Sequence, residues 1–211
     1  SPNLYGAMLM CLAVLGYILN DTTIKYFASE LPIFQTIFIR GIFVSTLLFF
    51  ICLRNSTFKK PIMKADIPFV FMRSLCDVFA TLFFLTALFN MPLANSNAIL
   101  QTLPLTVTIF GAIFLRERFG WYRAGAIVFG LVGAILIIKP GTQGFNGYSV
   151  FAVAAVFFIT LREIITRKVS KKSSTIFIAF ITALTITTSA ACGLLISGDW
   201  VYVSKATLIG L

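Results

Sequence analysis

The placement of basic residues between long apolar runs restricts the fold of this chain more than any other feature. Apolar runs repeat along the sequence, and lysines and arginines collect in every second gap between them. Hydrophobic residues make up 59% of the chain and charged residues only 11%, whereas a soluble domain needs roughly a quarter of its residues charged. The chain is therefore predicted to be an all-α, polytopic membrane protein with lipid as its main solvent.

Seven membrane spans and the start of an eighth are predicted. Each run is close to the ~20 residues that cross a bilayer core as a helix. The runs are too long, and alternate too little between polar and apolar residues, to be strands of a membrane barrel. The predicted spans are 4–28, 34–53, 67–89, 94–115, 121–138, 148–166 and 175–196.

The basic residues predict the orientation of the spans. The gaps after the second, fourth and sixth spans hold four, three and four basic residues, whereas the opposite gaps hold only Lys25, Lys139 and Lys205. Loops rich in lysine and arginine stay on the cytoplasmic side of a membrane. The N-terminus is therefore predicted to be cytoplasmic, and the net charge of +10 reflects orientation rather than a nucleic-acid-binding patch.

A shift of 141 residues overlays the first span on the sixth and the second on the seventh without a gap. Five spans per unit is an odd number, so the two copies would point in opposite directions. The charges agree, because the gap after the first span is poor in basic residues and its counterpart after the sixth is rich. Inverted repeats are typical of transporters whose binding site lies near the midplane between the two copies.

Several motifs resemble one family of membrane proteins. Residues 98–104 (AILQTLP) and 114–118 (FLRER) resemble the fourth-helix signature of the EamA family, in the drug/metabolite transporter superfamily. Residues 121–141 are similar to the fifth helix of that family. Residues 161–163 (LRE), followed by Thr166 and Arg167, resemble the start of a second EamA unit in bacterial members.

This resemblance implies ten helices in two inverted five-helix repeats. Residues 4–139 would form the first repeat and residues 145–211 the second, incomplete at its C-terminus, so we expect a fragment with about seven and a half helices. The resemblance further implies a secondary transporter of small polar metabolites, such as an amino acid, in the bacterial inner membrane. It would work by alternating access between its two halves, without a cofactor, and the sequence leaves a homodimer open.

Charged side chains inside the spans are the first candidates for the substrate site. Each costs at least ~2.5 kcal/mol on insertion scales, so it should face a cavity or a partner. Arg73 and Asp77, four residues apart on one helix face, would either bind substrate or form a structural ion pair. Arg40 would bind substrate or extend its side chain to the interface. Arg162 would reach the cytoplasmic interface, which is the favoured interpretation, or take part in the site, and its neighbour Glu163 is a site candidate.

Polar residues of the fourth span are the second group of candidates. Asn97, Gln101 and Thr108 form one stripe at helical spacing, and Pro104 between them frees a backbone carbonyl. We expect the stripe to line one cavity together with the charged pair of the third span, although it could also serve as hydrogen-bonding contacts between helices. The in-span charges are roughly balanced, which favours a zwitterionic or mixed-charge solute.

Two other functions were weighed against transport. A membrane enzyme would need a histidine, a paired-aspartate motif or a serine-centred elbow, and the sequence has no histidine and none of these motifs. The lack of histidine also argues against a metal site of the usual imidazole type. A membrane scaffold without transport activity would have no use for a buried polar stripe.

Overall fold

A computed structural model describes residues 2–28, 31–59, 62–115, 147–170 and 173–201, together with the isolated residues 125, 129, 130, 132 and 133. Within these ranges the chain is helical and contains no strand. Two short 3₁₀ turns, Thr57–Lys59 and Lys64–Asp66, lie between the second and third helices. The helices are α1 (Pro2–Phe27), α2 (Ile33–Arg54), α3 (Ile67–Asn90), α4 (Leu93–Leu100), α5 (Leu103–Leu115), α6 (Ser149–Thr166) and α7 (Thr175–Ser197).

Six stretches of the described chain are long and apolar enough to cross a membrane, which confirms the prediction of an all-α polytopic fold. They match the first four, the sixth and the seventh predicted spans. The fifth predicted span, 121–138, lies outside the described residues except at five isolated positions. The six stretches are Leu4–Tyr26, Ile33–Arg54, Lys64–Asn90, Leu93–Phe114, Ser149–Thr166 and Thr175–Ser197.

Two antiparallel helix pairs form the centre of the molecule. α3 packs along α6, α2 packs along α7, and α3 also contacts α7. Contacts at three heights fix the register of α2 on α7. They join Phe34 to Gly193, Gly41 to Thr187, and the Cys52 Sγ to the Ile176 carbonyl oxygen at 3.9 Å.

Exposed basic residues collect at one end of these helix pairs, which we call the basic end. Arg54, Lys64 and Lys168 are all exposed there. The buried Asp66 carboxylate accepts hydrogen bonds from the Ser173 hydroxyl at 2.6 Å and from the Ser170 N–H at 3.3 Å. These bonds join the segment before α3 to the loop between α6 and α7.

Different contacts close the opposite end. The Lys25 Nζ donates to the carbonyl oxygens of Leu88 and Phe89 at 2.6 and 3.1 Å, so the end of α1 caps the C-terminus of α3. The Gln35 side chain, 0% exposed, donates to the Val201 carbonyl at 2.6 Å and accepts from the Val201 N–H at 3.0 Å. The Gln35 side-chain amide thus forms hydrogen bonds with both the N–H and the C=O of Val201.

α1 packs against the described helices mainly through its last turns. Ile24 joins a core cluster near the opposite end, whereas the large apolar side chains between Leu4 and Leu19 are exposed. The other buried members of that cluster come from α2, α3 and α7. They are Ile37, Leu85, Leu88 and Ala190.

The fourth predicted span is two helices rather than one. α4 ends at Leu100, a turn follows at Gln101 and Thr102, and α5 begins at Leu103. Pro104 explains the break, because it has no N–H to bond to the Leu100 carbonyl and its ring disfavours a continuous helix.

Candidate functional site

A cavity of about 250 Å³ lies between α2, α3, α6 and α7. All four helices contribute polar or charged groups or small residues to its walls. The polar lining consists of Arg40, Arg73, Asp77, Thr81, Arg162 and Thr182. The remaining lining is Ile37, Gly41, Val44, Leu48, Ala179, Ala183 and Ile186.

Asp77 is the carboxylate of this cavity and has two guanidinium partners. The Arg162 Nη1 donates to its Oδ1 at 3.0 Å, and the Arg73 Nη1 lies 3.8 Å from its Oδ2. Asp77 is 7% exposed, so these charges attract each other with little screening by water. The Asp77 carboxylate of α3 is therefore the shared ion-pair partner of two guanidiniums, one on its own helix and one on α6.

Arg73 is further fixed by hydroxyl groups from both neighbouring helices. Its Nε donates to the Thr166 hydroxyl of α6 at 2.9 Å, and its Nη1 donates to the Thr182 hydroxyl of α7 at 2.7 Å. The Ser74 hydroxyl lies 3.1 Å from the same Thr182 oxygen. The α3 wall of the cavity is thus joined to α6 and α7 by a connected polar network.

The interface position predicted for Arg162 is wrong. Its side chain lines the cavity, where it pairs with Asp77 and with Glu163, and its Nε is buried without a hydrogen-bond partner among the described residues. A buried carboxylate attracts a guanidinium more strongly than the distant interface does. Sequence reasoning missed this partner because the two residues lie on different helices, 85 positions apart in the chain.

Glu163 is beside the cavity but not in its wall. Its side chain is 39% exposed and forms an ion pair with Arg162. It therefore acts on the cavity through Arg162, in contrast to the direct role that the sequence suggested.

Arg40 lines the α2 wall and differs from the other two arginines. Among the described residues it forms no hydrogen bond, and no carboxylate lies within ion-pair distance of it. Asp21, buried near the end of α1, attracts it at longer range, and the Asp21 Oδ1 accepts from the Asn20 amide at 3.2 Å. The Arg40 guanidinium is thus half-buried without a direct partner.

The polar residues of the fourth span do not reach this cavity, which corrects the expectation of one shared site. Gln101 is exposed at the turn, Asn97 is half-buried on α4, and Thr108 donates to the Pro104 carbonyl of its own helix at 2.7 Å. None of the three lines the cavity described above. The stripe assumed one continuous helix, and the break before Pro104 separates its members.

Three guanidiniums around one cavity are suited to binding oxyanions. Arginine presents its donors in a planar fork that matches a carboxylate with two parallel hydrogen bonds. In the described part of the chain, no group of three or more histidine, cysteine, aspartate or glutamate side chains is arranged to bind a metal ion.

Comparison with known proteins gives a family match over most of the chain. The model of the EamA-like transporter family matches residues 4–139. The S-adenosylmethionine uptake transporter of Rickettsia felis is 28% identical over 78% of this chain and 55% of its own length. The pseudopaline exporter of Pseudomonas aeruginosa is 25% identical over 83% of this chain and 61% of its own length.

A shorter match covers the riboflavin transporter of Vibrio cholerae, 34% identical over 41% of this chain and 29% of that protein. The chain spans 55% and 61% of the length of the S-adenosylmethionine and pseudopaline transporters named above. No solved structure matches it.

Proposed function

The chain belongs to the EamA-like transporter family, and on that premise we propose that it moves a small polar metabolite across the membrane by alternating access. The proposed substrate is an amino acid or a related compound. The transporter would be secondary, driven by the gradient of its substrate or of a coupled solute.

The composition of the cavity walls carries this proposal. α2 and α3 belong to the first predicted repeat, and α6 and α7 belong to the second. A cavity between inverted repeats is where transporters of this architecture bind their substrates. Charged groups within membrane-spanning segments usually mark such a pathway.

The size of the cavity supports a small substrate. At ~30 Å³ for each water molecule, about 250 Å³ corresponds to about eight waters. This volume has room for a small polar metabolite. The names of the relatives attach a different metabolite to each of them, so the substrate of this chain is proposed only as a chemical class.

We further propose that the protein lies in the bacterial inner membrane with its basic end in the cytoplasm. Single cysteines introduced by Lys64→Cys, Lys168→Cys and Tyr148→Cys in a cysteine-free background would test the orientation. An impermeant thiol reagent added to intact cells should label the Tyr148 position and leave the other two unlabelled. Labelling of all three positions, or of the two lysine positions alone, would contradict this orientation.

Transport by purified protein in liposomes tests the function itself. The full-length protein would be reconstituted and assayed for uptake and for exchange of radiolabelled amino acids, amines, organic acids and nucleosides, with protein-free liposomes as the control. We expect saturable transport of at least one zwitterionic or anionic compound. A well-folded protein that transports no member of the panel in either direction would overturn the proposal.

A further inference from the structure

We propose that Arg40 is the residue that selects the substrate, and that it does so by binding a carboxylate group. This inference rests on the proposed function and specifies which chemical group of the metabolite is recognised. It follows from a difference between the arginines of the cavity. Arg73 and Arg162 form hydrogen bonds or ion pairs with the described residues, whereas Arg40 forms neither.

The charged groups of the α3 and α6 walls already have partners in the structure. Both oxygens of Asp77 face a guanidinium, one at 3.0 Å and one at 3.8 Å. Arg73 donates to two threonine hydroxyls, and Arg162 has two carboxylate partners. A substrate that bound to Asp77 or Arg73 would first have to break contacts that the protein makes with itself, and of the described polar atoms of this network only the Arg162 Nε is buried without a hydrogen-bond partner.

Arg40 has no such contacts among the described residues. It lies about 10 Å along α2 from Ile33, at ~1.5 Å per residue, and so lies within the span. A charge at this depth costs free energy unless it has a counter-charge or water. Packing of α2 does not explain why the protein carries this free-energy cost at Arg40. The contacts with Thr187 on α7 are made by Gly41 and Ser45 instead.

The sign of the missing partner is negative. The side chains that line the cavity include three guanidiniums and one carboxylate. A cationic group would meet an excess of positive charge and would compete with Arg162 and Arg73 for Asp77. A carboxylate would find five unpartnered N–H donors on Arg40 in a fork that matches its own planar geometry.

Matched ligands and matched variants test this inference in the reconstituted full-length protein. The ligands are amino acids, their primary amides and the corresponding amines without the carboxyl group, used as inhibitors of uptake and as stabilisers in thermal unfolding. The variants are Arg40→Gln and Arg40→Lys, with Arg54→Gln as the control because Arg54 is exposed on the same helix at the basic end.

The unmodified protein should bind carboxylates at least about tenfold more tightly than the amides. Arg40→Gln should weaken carboxylate binding by about 10- to 100-fold, the range of a charge-assisted hydrogen-bonded pair, and leave amide binding nearly unchanged. Arg40→Lys should keep part of the preference, since it retains the charge but loses the fork. Arg54→Gln should behave as the unmodified protein.

The outcomes separate this inference from the proposed function. Transport with equal binding of carboxylates and amides, or an Arg40→Gln protein that keeps the preference, would overturn the role of Arg40 and leave the transporter intact. Failure of Arg40→Gln to fold would also contradict it, because Arg40 has only a longer-range attraction to Asp21 among the described residues and should not be needed for folding. If the unmodified protein transports nothing, the proposed function fails and this inference fails with it.

Discussion

The two helix pairs around the cavity are stabilised by different kinds of contact. α3 and α6 meet through charges, with Asp77 between Arg73 and Arg162. α2 and α7 meet through close packing, where an added Cβ on Gly41 would overlap the Thr187 side chain. In-span charges therefore differ between the two pairs: on α3 and α6 they join helices, whereas Arg40 on α2 makes no hydrogen bond or ion pair with the described residues.

This difference has an energetic basis. A buried ion pair contributes little net stability when complete, yet removal of one partner is costly because the other charge remains buried. Close packing of small residues depends on shape and is indifferent to charge. Substitutions in the two helix pairs should therefore destabilise the protein for different reasons. The four substitutions that follow are ordered from the largest expected effect on stability to the smallest.

Asp77→Ala should have the largest effect on stability. It leaves the half-buried Arg73 and Arg162 without their shared carboxylate, which costs up to ~3–5 kcal/mol, the range for a fully buried pair. The midpoint of thermal unfolding of the purified full-length protein in detergent should fall sharply. The double variant Asp77→Asn with Arg162→Gln should recover part of the loss, because it removes both members of the 3.0 Å pair and leaves only the partly exposed Arg73 and Glu163 without a counter-charge. A double variant as unstable as Asp77→Ala would contradict the ionic character of this wall.

Gly41→Ala should have the next largest effect, and for a reason of shape. The new Cβ would overlap Thr187 and lie 3.2 Å from its Cα, so α2 and α7 would have to separate at a cost of ~1–3 kcal/mol. Gly16→Ala on α1 is the matched control, since nothing lies within 4 Å of the new Cβ there. Equal thermal midpoints for the two variants would show that α2 and α7 do not depend on this close approach.

Thr182→Val should have a smaller effect, because it removes a single hydroxyl from the polar network. Arg73 would lose the acceptor at 2.7 Å, which corresponds to ~0.6–1.7 kcal/mol for interhelical hydrogen bonds in membranes. Thr185→Val is the control on the same helix, where the hydroxyl donates to the carbonyl of Ile181. A control that lowers the thermal midpoint as much as Thr182→Val would remove Arg73 as the reason.

Arg40→Gln should have the smallest effect on stability, within ~0.5 kcal/mol of the unmodified protein or slightly stabilising. The guanidinium has no hydrogen bond to lose among the described residues, and the relief of a half-buried charge offsets the loss of its longer-range attraction to Asp21. Thermal unfolding without ligand is the measurement. A fall in the thermal midpoint as large as that of Thr182→Val would show that Arg40 has a structural role. It would also remove the contrast between the α2–α7 pair and the α3–α6 pair.

The sequence predicted the charges of this cavity better than their partners. The long apolar runs identified α2, α3, α6 and α7, and helical spacing identified Arg73 with Asp77 as neighbours on one face. Arg162 follows Asp77 by 85 residues, so no local pattern could reveal that contact. It depends on how α6 packs on α3, which hydrophobicity does not specify.

The prediction that the polar stripe of the fourth span lines the cavity was wrong, and the reason is present in the local sequence. Helical spacing assigns Asn97, Gln101 and Thr108 to one face only if the helix is continuous. Pro104 breaks that continuity, and the turn at Gln101 places that residue at the surface of the described chain. The proline was recognised as the source of a free carbonyl, but the end of α4 at Leu100 was not predicted from it.

The three contacts between α2 and α7 have a mechanical consequence. Contacts near both ends and at the middle resist a tilt of α2 against α7, so these two helices should move together as one body. Each helix comes from a different predicted repeat. A rocking motion between the α2–α7 body and the α3–α6 body would therefore run within each predicted repeat, and it would have to break the bonds from Arg73 and Ser74 on α3 to Thr182 on α7. Arg40 would move with the α2–α7 body and Asp77 with the α3–α6 body. The distance between these two residues would therefore change during each transport cycle.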